Sequence, residues 1–337
     1  MRSERSTDVT LNWKYIGRRF GQMLLTLWII ATILFFVFRL MPGNPLTAYI
    51  DPNFTKEQQE ILLEQFGLDK PLFQQYLVFL LNLLQGNLGT SFVYRDDVLR
   101  VVARVLPNTL YLMLFSLIIA YVVGVLGGIL LAWLRGKKGE TVGIILTLFT
   151  RSAPQFWVGM LVLAIFSFRL GWLPSSGTGP AGVTYASEWA KFTSPVFWKY
   201  MLLPSLTLAI YLLGLPLLLM RTNMVETMEE SYVTIARMRG LSERRVMLKY
   251  AARNAILPVV TAMAVGFGYA IGGNVVIENV FSWPGLGRLL VDAVTMSDYP
   301  LAQGAFLLAA AIMVFMNFVA DLLYSVLDPR ITVEDMG

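Results

Sequence analysis

The chain has 337 residues, 56% of them hydrophobic and 15% charged, with a formal net charge of +5, whereas an ordinary soluble domain is about a quarter charged. That balance, with a mean hydropathy of +0.62, excludes a soluble globular fold and points to an all-α polytopic membrane protein. Cysteine and histidine are both absent, which removes disulfides, thiolate metal sites, the commonest metal ligand and the ordinary near-neutral proton shuttle; no catalytic residue and no metal site is expected in this chain.

Residues 1–19 form a basic arm carrying Arg2, Arg5, Lys14, Arg18 and Arg19. Residues 20–337 are expected to form one transmembrane domain. Six apolar stretches are long enough to cross a hydrocarbon core of about 30 Å, which takes about 20 helical residues: about 20–40, 108–134, 141–168, 200–221, 258–280 and 303–326. Lysine and arginine concentrate in the arm, in the loop with Arg135, Lys137 and Lys138, and in residues 222–257, which adds Arg237, Arg239, Arg244, Arg245, Lys249 and Arg253. Those segments read as cytoplasmic, with both termini inside. The first stretch is too long for a signal-peptide core and no small-residue cleavage site follows it, so it reads as an uncleaved anchor.

The outer loop, about 42–106, carries helical signals. Thr55 with Gln58 makes a capping box whose helix Gly67 can close. The run from Pro71 to Gln85 is apolar on nearly every face but too short to span, so it lies at the interface or packs on the bundle. Were it to cross, the count would be seven and the termini would part, against the charge asymmetry.

Residues 222–257 look soluble inside a greasy chain. Glu226, Glu229 and Glu230 stand near the start of a first helix and Arg237 and Arg239 near its end, the polarity that complements a helix dipole. Gly240 stops it. Ser242 is a good N-cap for a second helix, while Leu241 and Val246 hold the two positions of a hydrophobic staple. Pro258 then opens the fifth span as a first-turn proline. Shape and charge alone allow either an ordinary helical positive-inside loop or a hairpin gripped by a partner.

Beyond the fifth span, Phe281-Ser282-Trp283-Pro284-Gly285-Leu286-Gly287-Arg288 reads as a rigid outer turn. Pro284 fixes the backbone, Gly285 and Gly287 allow close approach, and Trp283 suits the membrane interface. It is either a turn that merely ends a helix or a surface that meets an external protein or gates the outer mouth. Among polar groups within the spans, Arg151, Asn274, Glu278 and Asp321 are costly at depth and normally face a bundle interior or a water-filled path; helix pairing explains them as well as substrate contact.

The order Ala236, Gly240, basic helix, Leu257-Pro258 resembles the cytoplasmic EAA loop of ABC importer permeases, with Thr234-Ile235-Ala236 where most of that family has Glu-Ala-Ala. Both this departure and the later Leu-Pro resemble the peptide and nickel branch. The segment 281–288 with Asp298-Tyr299-Pro300, Arg39-Leu40-Met41-Pro42-Gly43-Asn44-Pro45, Gly86-Asn87-Leu88-Gly89-Thr90-Ser91 and the closing Asp321-Leu322-Leu323-Tyr324 and Asp328-Pro329-Arg330 are similar to motifs of dipeptide and oligopeptide permeases, so the resemblance covers nearly the whole chain. Asn44 and Asn87 stand where that family usually has aspartate, which keeps a turn role but not one needing charge. The resemblance implies a type I importer permease, the first of two related membrane subunits, working with a second permease, two cytoplasmic ATPases that hold the ATP and magnesium, and an extracytoplasmic binding protein. It makes Ala236, Arg237, Gly240, Leu241 and Ser242 the ATPase-coupling residues, and Trp283, Pro284, Gly285 and Gly287 the outer gate or binding-protein contact.

No G-x-x-x-x-G-K-[ST] loop occurs; the Gly136-Lys137 pair lacks the preceding glycine, so hydrolysis of ATP is expected in a separate subunit. Peptide is the expected cargo, with a glutathione-like compound, a nickel chelate or an oligosaccharide as alternatives. An ion-coupled secondary transporter is the runner-up, although no internal repeat with mirrored helix breaks stands out. A membrane scaffold or receptor without transport is a third reading.

Overall fold

The computed structural model describes residues 13–40, 70–180, 182–183, 185–270 and 274–327. Helices make up almost all of its regular structure; among the described residues the one pairing of extended backbone is the isolated bridge between Thr90 and Asp97. Among the described residues four helices are long and apolar enough to cross a membrane, five if a pair bent by 102° counts as one span. The first is α1 (Trp13–Leu40), the second α3 (Val98–Trp133), the third α7 (Pro195–Leu212) and the last α14 (Tyr299–Leu327). The capping box at Thr55 and Gln58 and the closing motif at 328–330 lie outside the described residues.

The run after Pro71 folds as α2 (Leu72–Leu84), which buries no residue of its own. It rests on α1: the Thr32 and Tyr76 hydroxyls are 2.7 Å apart, and Phe35 meets the rings of Tyr76 and Phe79 at 5.3 and 5.4 Å. It is a helix packed on the bundle rather than an extra crossing.

Four expected spans differ from their reading. The second starts ten residues early, because α3 runs on outward through Pro107 to Val98. The third is broken: α4 (Lys138–Ser152) meets α5 (Gln155–Arg169) at 102° across Ala153-Pro154, and the latter half of α5, Leu163–Arg169, is wound as a π-helix. Pro154 explains the break, since proline excludes the α conformation before it and lacks the amide donor. After a short outer helix, α6 (Glu188–Thr193), the fourth span continues past Leu213 as α8 (Gly214–Thr227), far into the segment expected to open the hairpin. The fifth ends as α11 (Leu257–Ala270), and a separate short helix, α12 (Val275–Val280), follows Asn274.

The bundle is held by close approach rather than by bulk. At Gly124, Gly127 and Gly128 of α3, an added Cβ would fall within 3.0 Å of Pro216, Leu217 or Met220 of α8, so α3 and α8 are in contact backbone to backbone, the small-residue device of membrane helix pairs. One core cluster surrounds this seam with Leu112, Met220, Met224, Phe197 and Trp283; a second joins Phe38, Val98, Val101 and Val102 to α13 (Leu286–Thr295) and the outer end of α14.

Candidate functional site

On the basic side of the molecule, helix α9 (Ser231–Met238) is followed by α10, a second helical stretch over 243–255, which passes through a π-helical turn at Val246–Ala251. The first helix is shorter than expected, because Glu226 belongs to α8 and Glu230 takes the N-cap position. Its end is closed by two backbone bonds, Gly240 N to the Arg237 carbonyl at 2.9 Å and Leu241 N to the Ala236 carbonyl at 3.4 Å, with Gly240 at φ 76°. This is the Schellman arrangement, which needs a left-handed residue and therefore favours glycine. Ala236, Val233 and Val246 form a small buried core under Leu241, so the expected staple partners do share one cluster. Ser242 has N-cap backbone geometry, yet its hydroxyl makes no cap bond. Arg237 reaches Glu243 at 3.1 Å and the Met228 carbonyl at 3.4 Å. The outer face of the hairpin leaves Ile235 50% and Met238 82% exposed.

Two ion pairs tie the root of this hairpin to the loop between α3 and α4. Arg135 meets Glu229 at 2.9 Å, and Arg221 of α8 donates from Nε (3.0 Å) and Nη2 to Glu140, whose other oxygen accepts from the Gly136 amide at 2.7 Å. Beneath them Arg135, Arg237, Met224, Met228 and Met247 line a cleft of about 280 Å³.

At the opposite end, the turn 281–288 folds around a carboxylate. Glu278 is fully buried; its Oε1 accepts from the Thr109 hydroxyl at 2.8 Å and Oε2 from the Arg288 amide at 3.0 Å. A Cβ on Gly285 would stand 2.5 Å from the Glu278 carboxyl carbon, and one on Gly287 2.8 Å from the Val275 Cα. The glycines are there because the carboxylate and α12 occupy the space a side chain would take. Trp283 is 0% exposed, donating its indole N–H to the Asn108 carbonyl at 3.0 Å and packing on Phe197 at 5.6 Å. The interfacial place expected for Trp283 is therefore wrong: the indole is an internal peg, because its N–H finds a carbonyl inside. Of the four residues assigned to an outer contact, only Pro284 keeps appreciable surface.

Asn108 is the junction of this end. Its amide nitrogen donates to the Pro284 carbonyl at 2.7 Å, and its amide oxygen accepts from the Lys191 ammonium, itself buried beside Phe197. A neighbouring junction joins Ser91 and the Val93 amide to buried Asp298, while Asn87 accepts from the Gly89 amide at 2.9 Å, the turn role expected for it. Close by, the Asp97 amide and Arg104 hold the Asp96 carboxyl below the usual carboxylate range, and burial beside Asp292 and Asp298 raises the Tyr94 hydroxyl. Asn108, Thr109 and Lys191 escaped the sequence reading. Asn108 and Thr109 stand inside an apolar stretch one residue after Pro107, a polar pair in a span that was itself a usable signal.

The intramembrane candidates separate. Glu278 belongs to the outer turn. Asn274 caps α12 through the Ile277 amide (2.9 Å) and donates to Gln155 at 3.0 Å. Arg151 sits at the end of α4 with its stem against Gly214, whose added Cβ would lie 2.3 Å from the arginine Cδ. The side chain of Asp321 lies outside the described residues.

The bundle of apolar helices, one span bent at Ala153-Pro154 and another interrupted at Asn274, presents a capped polar hairpin on its basic side. Residues 124–333 match the family of binding-protein-dependent transport system inner membrane components and residues 12–113 its N-terminal membrane component. The chain belongs to that family, and is a multi-pass inner-membrane permease subunit of an ABC importer with the type I permease fold. It is 35% identical to a glutathione transport system permease protein, GsiC, of Escherichia coli over 317 residues, 94% of this chain and 98% of that one. It is 38% identical over the same length to the protein of that name from Salmonella typhi. Membership in a binding-protein-dependent system implies an ATPase and a substrate-binding partner, and sets aside ion-coupled secondary transport and the non-transporting scaffold.

Proposed function

We propose that this chain forms half of the translocation pathway of an ATP-driven importer of short peptides, and that the hairpin 231–255 is the socket gripped by a cytoplasmic ATPase. The observation that carries the reading is the hairpin tip. A chain with no phosphate-binding loop of its own spends a Schellman closure, a dedicated small core and an ion pair on holding Ile235 and Met238 in the open. Exposed large apolar side chains on an otherwise charged element mark a protein contact. Ala236 and Leu241 build the tip from inside, Gly240 bends it, Arg237 braces it against Glu243, and Ser242 starts the return helix. The chain itself is non-catalytic; ATP and magnesium belong to two ATPase subunits, a second homologous permease completes the pore, and both termini face the cytoplasm.

ATP-driven closure of the ATPases moves the hairpin, and the helices continuous with it switch the pore between outward-open and inward-open states. The cargo is a short peptide. The relatives named as glutathione permeases make glutathione, a tripeptide, the first compound to try, ahead of other peptides, nickel chelates and oligosaccharides.

The test is Gly240→Asp in the complete importer, with co-purification of the ATPase and cargo-stimulated hydrolysis as readouts. The reading expects either association or stimulation to fall at least tenfold while the chain still reaches the membrane. Unchanged association and unchanged stimulation would reject the socket.

A further inference from the structure

The bend of span three touches spans four and five. Span three breaks at Ala153-Pro154, between α4 and α5. Span four stays helical through Leu213, and its Gly214 is the residue against which the Arg151 stem lies. In span five Asn274 is extended, and it is the residue bonded to Gln155, one residue past Pro154. Interrupted helices at membrane depth are tolerated where they are buried in protein or line a water-filled cavity. Here the residues at the breaks are not sealed: Arg151 and Ser152 are exposed and Gln155 and Asn274 half-buried.

At the centre stands a cation. Arg151 is 13 residues beyond Lys138, about 20 Å along the helix and inside an apolar stretch. It makes no ion pair or hydrogen bond with any described residue. The C-terminal dipole of α4 answers only about half a charge. A full cation inside an apolar span calls for a counter-charge, and its stem is seated: Gly214 leaves just the space the methylenes need, while the residue as a whole stays exposed.

We propose that Arg151, at the end of α4 with the bonded amide pair Gln155–Asn274 following the bend, is an anion site on the translocation path that receives the carboxylate of a peptide cargo. This rests on the importer reading and adds to it the chemical class that the path selects. Guanidinium suits the task because its fork matches a carboxylate bidentately, and the neighbouring amide pair supplies neutral donors and acceptors for peptide groups.

The chain has no cysteine, so Ser152→Cys places one thiol beside Arg151 in the assembled importer, built with cysteine-free partners. Its modification is followed with an anionic sulfonatoethyl and a cationic trimethylammonioethyl methanethiosulfonate. With Arg151 present the anionic reagent reacts about tenfold faster relative to the cationic one than with Arg151→Gln, and Arg151→Lys keeps most of the preference. Millimolar dialanine slows the reaction; dialanine amide does not. A charge preference that ignores Arg151, a thiol unreactive to both reagents, or equal protection by dialanine and its amide, including none by either, would each overturn the proposal. So would loss of the second permease from Arg151→Gln but not Arg151→Lys, which would assign the charge to a subunit contact. The importer reading fails separately, by an assembled complex without an associated ATPase.

Discussion

Gly285 and Glu278 occupy the same small volume: a Cβ on the glycine would lie within 2.6 Å of three atoms of the glutamate carboxyl group. The outer turn is thus shaped by a side chain seven residues upstream, and its amides answer a charge rather than simply reversing the chain.

Gly285→Ala therefore displaces a carboxylate that holds the Thr109 hydroxyl and the Arg288 amide. Overpacking of this kind costs about 1–3 kcal/mol, and each buried partner left unmade about as much again. We expect a clear loss of thermal stability in detergent and of membrane yield. Glu278→Ala in the same chain should relieve part of the defect, so the double variant is less damaged than the two singles summed. Additive losses would remove the steric account.

Lys191→Met should loosen the outer segment at α6. The ammonium is buried between Asn108 and Phe197, and its loss leaves the Asn108 amide oxygen without its donor, at about 1–3 kcal/mol. The expected outcome is faster cleavage of residues 170–195 by an added protease, with the hairpin at 231–255 unaffected. Protection equal to the wild type would show that the contact holds nothing in place.

On the other side, Glu140 and Arg221 form a nearly buried pair whose second carboxylate oxygen is taken by the Gly136 amide. Removing one partner of such a pair is worse than removing both, because the survivor stays desolvated. Glu140→Gln and Arg221→Met should each lower ATPase stimulation by cargo more than the double variant does, with ATPase binding preserved. Equal effects of the single and double variants would deny the pair a part in transmission.

The hairpin was legible because its signals are local. Gly240, the charge order and the spacing of Leu241 and Val246 depend on neighbours within a turn, and the structure uses the glycine as read; the Ser242 hydroxyl is the exception, since the Schellman bonds and the backbone alone open the second helix. The spans were legible as apolar runs, but their breaks were not. Ala153-Pro154 looks like any proline inside a long apolar stretch, and nothing near Gly214 announces that Arg151 packs on it from 63 residues away. Trp283 was misplaced for the same reason. Its surroundings in sequence are those of an interfacial turn, whereas its partners, Asn108 and Phe197, come from α3 and α7. The carboxylate of Glu278 and the glycines after it were each noticed, yet their contact depends on a fold no spacing rule supplies.

Acid should loosen the outer rim first. The Asp97 amide and Arg104 depress the folded value of Asp96 below that of the unfolded chain, so its contribution is fully present above the ordinary carboxylate value of about 4 and fades as pH falls through the lower folded value. Hydrogen exchange in residues 89–104 should be flat from pH 7 to 5, after correction for the intrinsic rate, and rise below about pH 4. Asp96→Asn should abolish that acid step; a step that persists in the variant would assign it to another carboxyl.

Helix α3 touches both ends of this machinery. Thr109 and Asn108 hold the outer turn, and 24 residues later, about 36 Å along the axis, Trp133 leads into the loop whose Arg135 holds the hairpin root. Where span three is bent at Ala153-Pro154 and span five is interrupted at Asn274, this length is one continuous helix, and its seam with α8 is close-packed at Gly124 and Gly128. On the importer reading, a push on the hairpin root would reach the outer turn as a tilt of the same rod, so the two ends could not keep independent time.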